Sequence, residues 1–159
     1  MKLKSSTKKG IIAAVVIAVL GLSVSLAVLF LSPKQFKLSP EYYGSSEQIE
    51  LTNAEYDQLV EAKKSFVVFI DLGNCVTANE ISGYIQQIAD EHQAQFYHIM
   101  ADDAKEGSLH ESVKFYPSVA LVKEGKIAEF IHADEEEYSS MYHSKTDLNN
   151  WFNQYIIWE

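Results

Sequence analysis

Gly10 to Leu31 reads GIIAAVVIAVLGLSVSLAVLFL, 22 residues without a charge. A bilayer core is crossed by about 20 apolar residues in a helix. A helix on the surface of a soluble core would interleave polar residues at helical spacing, and here only Ser23 and Ser25 break the run. The stretch therefore reads as a single transmembrane anchor. Lys2, Lys4, Lys8 and Lys9 precede it, so the positive-inside rule keeps residues 1–9 in the cytoplasm and sends the remainder outside. A cleaved signal peptide is the competing reading, because Ser25-Leu26-Ala27 resembles a small-residue cleavage site. The apolar run is longer than the 7–15 residues usual for a signal peptide.

From Ser32 onward nine lysines face 22 acidic residues, a net charge of −13 with histidine neutral, and arginine is absent. A phosphate backbone is bound by clustered cations, so the composition speaks against nucleic acid and against an anionic lipid surface. One cysteine, Cys75, is present. An internal disulfide framework is excluded. The thiol is then a buried apolar group, a reactive centre, or half of an intermolecular bridge.

Residues 32–47 read as a linker with Pro33, Pro40 and Gly44 and no periodicity. Tyr42 and Tyr43 either pack on the domain or stay exposed. Residues 48–159 then alternate strand-like and helix-like segments. Gln48 to Leu51 is a short strand. Thr52 or Asn53 caps a helix reaching about Lys63. Phe66 to Ile70 is a continuous apolar run, as in a central buried strand. Thr77 to His92 is a helix with Ile81, Tyr84, Ile85, Ile88 and Ala89 on one stripe. Phe96 to Met100 is a strand and Asp102 to Lys114 a short helix. Ser118 to Val122 and Ile127 to Ile131 are strands joined by the turn Lys123-Glu124-Gly125-Lys126. Asp147 to Ile157 closes the chain as a helix with Leu148, Trp151, Phe152 and Tyr155 inward. The expected fold class is α/β, in the order β-α-β-α-β-α-β-β-α.

Three local matches, in order and spacing, make the chain resemble the thioredoxin-like fold family over about Gln48 to Tyr155. Phe66-Val-Val-Phe-Ile-Asp-Leu-Gly-Asn-Cys75 resembles the strand that leads into the family's Cys-x-x-Cys turn. Tyr116-Pro117-Ser118 resembles its cis-proline followed by a small hydroxyl residue. Val119-Ala-Leu-Val-Lys-Glu-Gly125-Lys-Ile resembles the strand–Gly–strand hairpin beyond. Together with the anchor, the chain is similar to the membrane-associated thioredoxin-like accessory proteins that bacteria use around export.

The departures bear on function. The motif would occupy Cys75-Val76-Thr77-Ala78, so the second cysteine is Ala78. Asn74 stands where an aromatic residue is usual, and Phe69 aligns with the buried acid of many thioredoxins, with Asp71 shifted in register. A dithiol enzyme resolves its mixed disulfide with the second thiol, and this chain has none. Cys75 remains a candidate nucleophile for single-thiol exchange, since a thiol at a helix N-terminus feels the helix dipole. No lysine lies between Lys64 and Lys105 to help it. Tyr116, Pro117, Ser118 and Asn74 would flank a groove for an extended peptide or protein thiol partner, a mode of binding that survives loss of catalysis. Two functions stay open: a single-thiol exchanger or thiol-homeostasis accessory, and a catalytically silent binding module.

No cofactor or metal is expected. His132-Ala-Asp134-Glu135-Glu136-Glu137 with His143 fits no defined ligand spacing, and the stretch reads as a solvated acidic loop. It is longer than the usual connection before a closing helix. Its Tyr138, Met141 and Tyr142 suggest either a partner surface or packing on the final helix.

Overall fold

The computed structural model describes residues 34–73 and 75–159. The expected anchor at 10–31 and the lysine-rich tail lie outside them. Among the described residues no helix is long and apolar enough to cross a membrane.

Five strands form one mixed sheet: β1 (Gln48–Glu50), β2 (Phe66–Asp71), β3 (Phe96–Met100), β4 (Ser118–Lys123) and β5 (Lys126–Phe130), in spatial order β1-β3-β2-β4-β5. β3 pairs parallel with both β1 and β2, while β4 and β5 continue antiparallel. Every residue from Phe66 to Ile70 is buried, because β2 is central and both faces are covered. The helices are α1 (Asn53–Glu61), α2 (Val76–His92), α3 (Ala101–Ala104), α4 (Leu109–Ser112) and α5 (Lys145–Tyr155).

Tyr56 of α1 meets Phe66 edge-on, and Phe66 meets Tyr97 in the same way. Phe152 of α5 stacks on Phe96, the neighbour of Tyr97 along β3. Successive side chains of a strand point to opposite faces, so α1 and α5 cover opposite sides of the sheet. The order matches the one expected from the sequence, with four differences of detail.

First, residues 35–47 are not a linker. Phe36, Leu38 and Tyr42 are buried, and Phe36 exchanges backbone bonds with Tyr155 and Ile157 at 2.8 Å each. The folded unit begins at Gln35. The polar surroundings and the prolines hid three apolar anchors too sparse to show a period.

Second, the helix expected over Asp102 to Lys114 is two short ones. They break around Gly107, where the chain turns by i→i+3 bonds, and the missing Cβ of Gly107 leaves room for the Asn53 side chain.

Third, α5 stops at Tyr155. Ile156 turns extended to bridge Phe36.

Fourth, the acidic loop contains a 3-10 turn, Glu136–Tyr142.

The hairpin turn between β4 and β5 has Glu124 at φ 49° and Gly125 at φ 74°, the left-handed pair that matches strand twist. It is pinned to the end of α1. The Gly125 amide donates to Lys64 O at 2.9 Å, and the Glu124 amide donates to Ser65 Oγ at 3.0 Å.

Candidate functional site

β2 ends in a turn built by its own acid. Asp71 Oδ1 accepts from the Gly73 amide at 2.8 Å, and the Cys75 amide donates to Gly73 O at 2.6 Å. Gly73 sits at φ +74°, a conformation that costs glycine little. Cys75 then occupies the N-cap of α2, and its carbonyl accepts the first helical bond, from Asn79 at 3.0 Å. The thiol makes no capping bond and is half-buried. Asn74 lies outside the described residues.

The second half of the site is the β4 entry. The Tyr116–Pro117 peptide bond is cis. The Tyr116 hydroxyl meets His110 Nδ1 at 2.6 Å, and burial pushes its titration upward. Cys75, Tyr116 and Pro117 line one open cleft of about 520 Å³, with Leu72 and Thr77 on the thiol side. The acidic segment lines the same cleft with Asp134, Glu135, Glu136, Ser139, Tyr142 and His143.

Ser118 does not line this cleft. It is fully buried, and its hydroxyl donates to Ile131 O at 2.7 Å, so it ties β4 to the chain leaving β5. Ala78 is fully buried in the first turn of α2.

Phe69 is fully buried as well. It stacks on His98 with ring centroids 6.0 Å apart. The shifted acid, Asp71, reaches His98 Nε2 at 3.3 Å on the same face. One carboxylate thus shapes the turn before Cys75 and holds the imidazole of the neighbouring strand.

Of the two readings of the acidic segment's aromatics, packing on the domain describes Tyr142. Tyr142 is buried and its hydroxyl donates to Pro117 O at 2.7 Å. Burial first, and then the charge of Asp134, push the titration of Tyr142 upward. Tyr138 is half-buried beside His132, and the rings lie 5.2 Å apart. Nothing in the local sequence marks Tyr142 as the clamp on the proline turn. Its partner lies 25 residues earlier.

The two histidines of the acidic segment face different carboxylates. His132 Nδ1 meets Glu135 at 3.2 Å, and His143 Nδ1 meets Glu80 at 3.0 Å. Among the described residues no group of three His, Cys, Asp or Glu is placed to hold a metal ion.

No family model and no curated protein matches the sequence. Solved structures do match in shape. A thioredoxin mutant of Halobacterium salinarum is 13% identical, with a TM-score of 0.55 over 70% of this chain and 93% of that one. The oxidised thioredoxin of Plasmodium falciparum is 12% identical, with a TM-score of 0.52 over 68% and 97%. The thioredoxin of Fasciola hepatica is 19% identical, with a TM-score of 0.52 over 67% and 98%. The described domain therefore has the thioredoxin fold.

Proposed function

We propose that this is a membrane-tethered, extracytoplasmic thioredoxin-fold protein that receives an extended polypeptide beside Cys75 and exchanges disulfides through that single thiol. The observation that carries the reading is the shared cleft. A half-buried thiol at a helix N-cap and a cis-proline turn open into the same 520 Å³ space. The tether rests on the uncharged run from Gly10 to Leu31 behind four lysines.

A single thiol suffices for isomerisation. The Cys75 thiolate attacks one sulfur of a partner disulfide, that S–S bond breaks, and the electron pair leaves on the partner's other sulfur. A third thiolate of the partner chain then attacks the partner sulfur of the mixed disulfide, forms a new disulfide there and releases the Cys75 thiolate; attack by the freed thiolate only reverses the first step. Electrons balance and no outside oxidant or reductant is consumed.

A second reading is favoured by Ala78 and Phe69, both fully buried where the resembled family carries a thiol and an acid. In it the cleft binds and does no chemistry. Trapping separates the two. The full chain in neutral detergent is mixed with a disulfide-bearing peptide and quenched with acid. A covalent adduct on Cys75 supports exchange. Peptide binding that is equal in the wild type and Cys75→Ser, with no adduct, supports the silent module. For the tether, a membrane-impermeant maleimide added to intact expressing cells should label Cys75. Labelling only after lysis contradicts the orientation.

A further inference from the structure

The cleft's lining is mixed. Beside the thiol, Leu72 offers an exposed apolar side chain, 42% exposed. Phe115, 54% exposed, lies in an adjoining hollow that shares Ala133 and Asp134 with the main cleft. The main cleft also carries Asp134, Glu135 and Glu136, all exposed, and among the described residues no lysine lines it. Lys114 lines only the adjoining hollow. Of the three carboxylates, Glu135 alone meets a base among the described residues, His132 at 3.2 Å. A cleft lined by one sign of charge concentrates ligands of the other sign and repels its own.

Building on the exchange-and-binding reading above, we infer that the cleft takes an extended polypeptide segment with lysine or arginine flanking its cysteine and an apolar residue alongside, and that it turns away acidic thiols such as glutathione. The cations would lie against Asp134 and Glu136 while the apolar residue covers Leu72. The electrostatic part sets selection and association rate more than final affinity.

The test uses the full chain in neutral detergent and synthetic peptides of one sequence. Each holds a single cysteine blocked as a mixed disulfide with 4-thiopyridine and flanked by Lys, Gln or Glu. Attack of Cys75 on the peptide sulfur breaks the S–S bond and releases thiopyridone, whose absorbance gives the rate. The Lys-flanked peptide should react at least about tenfold faster than the Glu-flanked one at low salt. The gap should close near 1 M salt, where screening reaches about 3 Å. The triple variant Asp134→Asn, Glu135→Gln, Glu136→Gln should lose the preference. The distant variant Glu50→Gln, Glu61→Gln, Glu106→Gln should keep it, since it removes equal charge elsewhere. Equal rates for the three peptides, or loss of preference in both variants alike, overturn the inference while leaving exchange intact. If no peptide reacts and only the unfolded chain does, exchange itself fails. Anisotropy of fluorescent cysteine-free peptides then decides the charge preference separately: the Lys peptide binds about tenfold tighter, or the inference falls too.

Discussion

The Tyr142 hydroxyl reaches the carbonyl of Pro117 across 2.7 Å inside the protein. The acidic segment is thereby fastened to the proline turn. Removing the hydroxyl leaves a buried carbonyl without this donor. Tyr142→Phe should lower stability by about 1–2 kcal/mol, read from denaturant unfolding of the full chain. An unchanged midpoint would mean that other contacts fasten the acidic segment.

Gly125 is required by both conformation and space. Its φ is +74°, and a Cβ there would stand 2.2 Å from Val60 O, a backbone atom that cannot swing aside. Gly125→Ala should cost about 2–3 kcal/mol, with the hairpin lifting from the end of α1. Thermal unfolding within error of the wild type would contradict that packing.

Ala78 lies in the first turn of α2, three residues after the N-cap thiol. Ala78→Cys should form an internal disulfide with Cys75 under mild oxidation, seen as the loss of both titratable thiols. Two free thiols that persist would show that Cys75 is turned away from the helix.

Four tyrosines set the alkaline limit. Burial raises Tyr56 and Tyr155 from the usual 10 to about 12, and it raises Tyr42 and Tyr142 as well. The unfolded chain ionises first, near pH 10, while the folded protein holds these phenols neutral. Stability is therefore full below pH 10 and falls as pH rises through the folded values. The unfolding midpoint should be flat from pH 8 to 9.5 and drop steeply between 10 and 12. A flat profile to pH 12 would contradict the burial of these hydroxyls.

What could be read from the chain was local and periodic. The run from Phe66 to Ile70, the stripe on α2 and the Glu124-Gly125 turn each carry their signal within a few residues. Cys75 and Pro117 were legible as parts of a pattern whose order survives even where Ala78 and Phe69 replace its chemistry. Phe36 and Leu38 were missed because isolated apolar residues beside prolines have no period. Tyr142 was legible as an aromatic in an acidic stretch, but its direction depends on a carbonyl 25 residues away. Ser118 matched the pattern around the proline, but its buried hydroxyl is used up by Ile131 O. The acidic wall was visible as composition. That it lines one cleft with the thiol is a property of the fold alone.

Single-thiol exchange requires Cys75 to be open to a partner sulfur in the folded protein. The direct measurement is the rate at which the native full chain reacts with a neutral peptide disulfide, followed by intact mass. One adduct per chain is expected, formed on Cys75 without unfolding and absent in Cys75→Ser. An adduct that appears only after denaturant is added would contradict single-thiol exchange.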